Sequence, residues 1–489
     1  MGQKVQLEFP GFLIDDLPAR VADDRLEQSP IGRRLYHSDK PRETTVSQIL
    51  EQPQARAAET SRFRWLVIGL AFLVTVVNYL DRSAISYAIG PLKAEFGLND
   101  ADFGFIASAF GIGYMIMTVG GGILVDRLGA RRIWAAAAVL WSAVTAMMGL
   151  ASGFSMLFLF RTILGIAEGP NFPALTRVVT DWLPTSERAR ATAIALAAVP
   201  LASVIGAPLI SHLIVHLSWQ LMFVVLGSLG LIWSVAWMWL FRDYPENSRF
   251  VSQAELEHIR AGRAIIRGQS DQEMRHHELL AGKTTWRFML FNPALLANNY
   301  AFFAFGYLLF FALTWLPGYL EETYALHLKQ VGFYLIAPWL TAAVLLTLAG
   351  YLSDWLWLRT GSTRVARSHL IWICQLASAL CFIPVTCIHS LPLAVTLISL
   401  GVGLGLMPNA AFYALNSDLA RDRAATSLGV MDCFFAAAGI AAPALTGLLA
   451  NATGNFTAAI LLLVGFTLTS VVGIVLFQHP DKELPAIGD

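Results

Sequence analysis

Charge is scarce in this 489-residue sequence. Asp, Glu, Lys and Arg make up 14% of it, whereas an ordinary soluble domain carries about a quarter. The 34 basic residues balance 34 acidic ones, which excludes the global positive field that would argue for a nucleic-acid partner. Cysteine is scarcer still. Cys374, Cys381, Cys387 and Cys433 lack CxxC spacing and lie in or beside apolar runs, so they read as small core residues with no redox or metal role. No His, Cys or Asp cluster with ligand or triad spacing falls in those runs, which speaks against an enzyme, and no cofactor is expected. Gly401-Val-Gly-Leu-Gly405 is glycine-rich. No strand precedes it and no Lys-Ser/Thr follows, so it reads as a close-packing helix face and not a phosphate loop. The N-terminus offers no cleavable signal, because the first apolar run begins only near Arg64 and is full length.

What remains is apolar. Hydrophobic residues are 56% of the chain and the mean hydropathy is +0.57, values that describe an all-α integral membrane protein. Each crossing needs roughly 20 mostly apolar residues. Twelve runs satisfy this, near 65–89, 102–125, 133–151, 154–179, 190–215, 219–241, 294–319, 331–354, 368–387, 391–415, 425–449 and 456–477. The chain then divides into a polar, proline-dotted N-terminal tail (1–62) expected to be largely disordered, a six-helix bundle (63–241), a central loop (242–293), a second six-helix bundle (294–478) and a short C-terminal tail (479–489). In the central loop Ser252-Gln-Ala-Glu255 has the spacing of a capping box, which predicts a short surface helix. Basic residues accumulate on one side, at Arg62, Arg64, Arg127, Arg131, Arg132, Arg188, Arg190, Arg359, Arg364, Arg367, Arg421 and Arg423; the other side offers little beyond Lys93 and Lys329. Both termini are therefore expected in the cytoplasm, with the protein in the inner or plasma membrane as a monomer.

The chain is also duplicated. Gly122-Ile-Leu-Val-Asp126 corresponds to Gly350-Tyr-Leu-Ser-Asp354, Pro170-Asn171 to Pro408-Asn409, and the run from Arg188 to Pro208 to that from Arg423 to Pro443. Three matches at nearly constant offsets of about 230 to 240 residues predict two pseudo-symmetric six-helix halves, an arrangement that places a transport site between them.

Ionisable residues inside apolar runs are costly and mark substrate or proton paths. Arg161 and Glu168 stand two helical turns apart in the fourth run, with Asn171 near the same face. In the first run, Asn78-Tyr79-Leu-Asp81-Arg82 sets opposite charges on adjacent residues, which point about 100 degrees apart and so need other partners. Crossed pairs are expected, Asp81 with Arg161 and Arg82 with Glu168. Asn409, the repeat mate of Asn171, and Tyr307 are further candidates for the cavity wall, whereas Asp432 reads as a gate or packing partner.

Gly122-Ile-Leu-Val-Asp126-Arg127-Leu-Gly129-Ala-Arg131-Arg132 resembles the signature loop of the major facilitator superfamily. The duplication and the central loop agree with that family across residues 60–480. The resemblance implies a cytoplasmic gate at Gly122, Asp126, Arg127, Gly129, Arg131 and Asp354 that holds an outward-facing state closed. Tyr79, Asp81, Arg82, Tyr114, Arg161 and Glu168 are similar to one branch, the anion:cation symporters, which include sugar-acid permeases and sialin-like carriers. For that branch the resemblance implies proton-coupled import of a small organic anion, such as an aldonate, hexuronate or aldarate. Asp81 and Glu168 would be the proton sites; Arg82 and Arg161, with Tyr79, Tyr114, Asn171, Tyr307 and Asn409, would bind substrate. Val199 and Pro200 stand where some sugar-acid carriers place a polar amide. The residues themselves support coupling: a carboxylate that competes for an arginine deprives the neighbouring glutamate of its counter-charge, so substrate and proton bind together. A sodium-coupled, exchange-type or phosphate carrier of the same fold, or a transporter-like sensor, are the other readings.

Overall fold

The computed structural model describes residues 62–260, 286–420 and 424–479. The N-terminal tail before residue 62, the tail after 479, much of the central loop, and Arg421 and Arg423 lie outside the described residues. Among those described, the chain is helical throughout, with no strand. The first half comprises α1 (Phe63–Tyr87), α2 (Ile89–Phe96), α3 (Asp100–Leu128), α4 (Ala130–Met148), α5 (Phe154–Glu168), α6 (Asn171–Trp182), α7 (Thr185–Leu196), α8 (Ala198–His216) and α9 (Trp219–Leu240). A surface helix α10 (253–260) follows. The second half comprises α11 (Trp286–Phe291), α12 (Pro293–Thr314), α13 (Leu316–Tyr324), α14 (Leu328–Tyr334), α15 (Ile336–Thr360), α16 (Leu370–Val385), α17 (Leu391–Leu406), α18 (Asn409–Leu419), α19 (Ala424–Thr453) and α20 (Thr457–Phe477).

Ten stretches of the described chain are long and apolar enough to cross a membrane. The third and fourth runs of the sequence fall outside that count for a local reason. Helix α4 opens on Arg131-Arg132, and α5 is only 15 residues long and carries both Arg161 and Glu168. Helix α5 is short because Pro170 has no N–H to continue the ladder, and the chain restarts as α6 at Asn171. The same break recurs between α17 and α18 at Pro408, so the duplicated Pro-Asn appears as a duplicated interruption.

Helix starts carry the expected caps. Asn99 Oδ1 accepts from Asp102 N at 2.9 Å while Asp102 Oδ2 accepts from Asn99 N, and Ser218 Oγ caps α9. At α10, Ser252 Oγ accepts from Glu255 N as the spacing predicted. The buried Glu255 carboxylate accepts from both the backbone N–H and the guanidinium of Arg64 at the start of α1, which docks α10 on the first half.

Between the halves, α3 packs on α19 and α8 on the α14–α15 run. These two pairings exchange under the internal duplication, since the second run mates with the eighth and the fifth with the eleventh. Polar contacts between the halves gather at the end away from the chain termini, here called the distal end. Ser86 Oγ donates to Leu313 O at 2.7 Å, Ser108 Oγ to Ile440 O at 2.8 Å, and Lys93 pairs with Glu322 at 2.7 Å. Backbones touch there as well: a Cβ on Gly104 would lie 2.6 Å from Pro443 O, and one on Gly447 2.4 Å from Asp100 O. In this conformation the halves are closed on one another at the distal end.

Candidate functional site

Within the first half, α3 and α5 approach closely because small residues face each other. A Cβ on Gly113 would sit 2.0 Å from Thr162 O and one on Gly165 2.1 Å from Phe110 O, distances that no side chain tolerates. This approach brings Phe110 and Tyr114 of α3 against Arg161 and Glu168 of α5. Helix α1 completes the site with Tyr79, Asp81 and Arg82.

Arg82 is the hub. Its Nη2 and Nε donate to Glu168 Oε2 at 2.9 and 3.2 Å, and both side chains are buried. The guanidinium carbon stands 4.7 Å from the ring centroid of Tyr79, 4.6 Å from that of Phe110 and 4.9 Å from that of Tyr114. A cation over an aromatic face gains on the order of 0.5–2 kcal/mol, more when water is excluded. Arg161 shares the Phe110 ring at 4.9 Å and donates from Nη1 to the backbone carbonyl of Arg82 at 3.4 Å. Glu168 Oε1 has no hydrogen-bond partner, and Asn78 lies beside this carboxylate.

One of the two expected crossed pairs is therefore present and the other is not. Arg82 meets Glu168, but Asp81 does not pair with Arg161. Both carboxylate oxygens of Asp81 are buried without a hydrogen-bond partner, and the charged neighbour it faces is Glu168. The reason is the angle between adjacent helix positions: once Arg82 points at α5, Asp81 is rotated off that line, and Arg161 bonds to main chain instead.

Two other expected site residues are turned elsewhere. Asn171 is fully buried, and its Oδ1 accepts from Trp134 Nε1 at 2.9 Å. Gly169 and Pro170 keep helical dihedrals, and at about 100 degrees per residue position 171 falls roughly 60 to 80 degrees round the helix from Glu168 and Arg161, toward Trp134. Tyr307 is likewise buried, with its ring 5.0 Å from Phe466 and 6.1 Å from Phe303, so that it packs α12 on α20. Asn409 is partly exposed at the start of α18.

Two residues escaped the sequence reading as site residues. Phe110 supplies the one ring that both arginines share, and a single phenylalanine among 30 carries no signal in a sequence. Tyr413 of α18 donates from Oη to Asp432 Oδ1 of α19 at 3.4 Å, and both lie within electrostatic reach of Tyr114 of the first half.

At the end of the bundle bearing the chain termini, the loop residues form contacts within the first half. Asp126 pairs with Arg177 of α6 at 3.3 Å and is largely exposed; Arg127 is exposed. Gly129 adopts φ +86, a left-handed value suited to glycine, beside the Asp243 carboxylate. That carboxylate accepts from Arg131 N at 2.8 Å and so caps α4. Gly122 has only Pro173 near the position of a Cβ, and Asp354 lies in the last two turns of α15.

Comparison with known proteins agrees with this architecture. The family model of the Major Facilitator Superfamily matches residues 71–431. The hexuronate transporter of Bacillus subtilis (strain 168) is 32% identical over 423 residues, covering 86% of this chain and 96% of that protein. A probable galactarate/D-glucarate transporter of the same strain is 30% identical over 441 residues, covering 88% and 94%. Among solved structures, a bacterial homolog of the human lysosomal transporter Spinster in an inward-facing and occupied conformation superposes with a TM-score of 0.71 at 17% identity, covering 87% of this chain and 99% of that one.

Proposed function

The chain belongs to the Major Facilitator Superfamily, and on that premise we propose that it is a proton-coupled symporter importing a small organic anion, a sugar acid such as an aldonate, hexuronate or aldarate. The observation that carries this reading is the buried Arg82–Glu168 pair in its aromatic cage, with Asp81 unpaired beside it. Arg82 holds Glu168, Arg161 donates to the Arg82 carbonyl, and Asp81 is left without a partner; the second half contributes a further acid, Asp432. An anionic substrate that takes Arg82 as its counter-ion displaces Glu168 and adds negative charge to a buried place. Protonation of Glu168, and of the already unpaired Asp81, restores the balance, so uptake of substrate is linked to uptake of protons. The relatives named for hexuronate and for galactarate or D-glucarate support the substrate class.

Orientation follows from the basic residues at the terminal end, which by the positive-inside rule face the cytoplasm. Closure at the distal end is what the cytoplasm-facing state of an alternating-access cycle requires, and it supports that reading. In that state the loop from Gly122 to Arg131 is expected to be disengaged. Asp126 with its partner in its own half agrees with this, and the same loop would close the inner mouth in the opposite state.

Uptake into proteoliposomes under an imposed inward proton gradient tests the mechanism. Wild-type protein should accumulate a labelled hexuronate, and collapse of the gradient should stop accumulation; accumulation that ignores the gradient would overturn proton coupling. Glu168→Gln should bind substrate and exchange it across the membrane but not concentrate it, whereas Arg82→Ala should lose uptake.

A further inference from the structure

We propose that Asp432, held in place by Tyr413, reads the end of the substrate remote from its carboxylate and selects a singly charged acid with a hydroxyl at that end over a diacid. The proposal rests on the reading that Arg82 takes the substrate carboxylate, and it narrows the sugar acids named above by ranking aldonates and hexuronates over aldarates, the part of the specificity that the second half supplies. Asp432 and Tyr413 come from α19 and α18 of the second half, whereas Arg82, Tyr79 and Tyr114 belong to the first. Tyr413 is 39% exposed, and its ring is set edge-on against Phe302 at 5.4 Å. Asp432 is partly exposed and accepts from Tyr413 Oη. Tyr413 is in electrostatic reach of Tyr79 and Tyr114, which are two of the three rings around Arg82, and Asp432 of Tyr114. Among the described residues no cation pairs with Asp432, and Tyr413 is its one polar partner.

An ionised carboxylate without a cation is an acceptor only. Facing a bound substrate, it accepts hydrogen bonds from hydroxyl groups and repels a second carboxylate. Tyr413 both fixes the carboxylate and offers its phenol oxygen as a further acceptor. The site is thus asymmetric, with cations and aromatic faces from the first half and an acid from the second. A polyhydroxy monocarboxylate matches that polarity along its length. A diacid places one charge correctly and the other against Asp432. Negative charge set against a competitor is how specificity is gained when attraction alone does not discriminate.

D-gluconate and D-glucarate make the sharpest comparison, since the six-carbon chain is the same and a hydroxymethyl end becomes a carboxylate. Titration calorimetry of the purified full-length protein at pH 7.5 should give wild-type affinity for gluconate at least roughly ten-fold above that for glucarate, and Asp432→Asn should bring the two within about three-fold by improving glucarate binding. Tyr413→Phe retains the carboxylate but removes the hydrogen bond that fixes it, and should give a ratio between those of wild type and Asp432→Asn; an unchanged ratio would remove Tyr413 from the site. Equal wild-type affinities, or an Asp432→Asn protein that folds and keeps the wild-type ratio, would overturn the proposal; the wild-type ratio alone decides it should the variant not fold. A protein that binds neither acid nor D-glucuronate would instead overturn the carboxylate reading of Arg82, and the proposal with it.

Discussion

Three aromatic faces and one carboxylate surround the Arg82 guanidinium, and the two kinds of neighbour act differently. Glu168 neutralises the charge; the rings attract it without neutralising it. When Glu168 leaves, the cation is still favourably placed, so a counter-ion can be exchanged at Arg82 without exposing a bare charge to hydrocarbon. Removing one partner of an unsupported buried pair typically costs about 3–5 kcal/mol, and the cage lowers that penalty. Asn171 makes the contrasting case. Its amide is bonded to Trp134 inside the first half, so Asn171→Ala should lower thermal stability by about 1–3 kcal/mol while leaving the substrate KM of the surviving protein unchanged. A raised KM with unchanged melting temperature would return Asn171 to the cavity. The types and depths of Asp81, Arg82, Arg161 and Glu168 were legible in the sequence, because charge inside an apolar run is conspicuous. Their partners were only half legible. Sequence spacing fixes directions on one helix, but the close approach of α3 to α5 that sets Phe110 and Tyr114 around the arginines depends on packing at Gly113 and Gly165, and that is invisible until the helices are assembled.

At the scale of elements, interruptions do much of the positioning. The breaks at Pro170 and Pro408 were readable as a repeated dipeptide. Which partner Asn171 takes was not, since position 171 lies some 60 to 80 degrees round the helix from Glu168 and Arg161 and only the assembled bundle puts Trp134 on that side. Helix α10 shows the converse. Its capping box was legible, but its partner lay 191 residues away in Arg64. The same arginine holds Glu187 at 2.8 Å, and His258 of α10 approaches Glu187 at 3.2 Å. The Arg64 hydrogen bond holds the Glu187 carboxyl below the ordinary glutamate range. A carboxyl that binds its proton less tightly when folded stabilises the fold above the ordinary glutamate value of about 4.3 and loses that contribution as pH falls toward the lower folded value. The detergent-solubilised protein should therefore lose melting temperature on acidification below about pH 5, and Glu187→Gln should be less stable at neutral pH and flatter across that window. An identical acid dependence in the variant would detach Glu187 from the effect.

Over the whole molecule, the twelve runs, the duplication and the family resemblance were enough to anticipate two halves. Which end is closed was beyond reach, because one sequence encodes every state of the cycle. Distal closure is testable through Lys93 and Glu322. In a background with Cys374, Cys381, Cys387 and Cys433 replaced, a Lys93→Cys, Glu322→Cys protein joined by a short bifunctional thiol reagent should bind substrate from the cytoplasmic side and transport none, and a reducible linker should restore flux on cleavage. Transport that survives complete cross-linking would mean that the distal end need not open. The seam beside this ion pair has a further property. Ser86 and Ser108 donate to the main-chain carbonyls of Leu313 and Ile440, and every residue supplies such a carbonyl. No substitution in the second half at those positions can delete an acceptor, so the closed seam is robust to sequence drift on one side. Adaptation to a new cargo can then proceed through α18 and α19 while the latch is preserved by two serines in the first half.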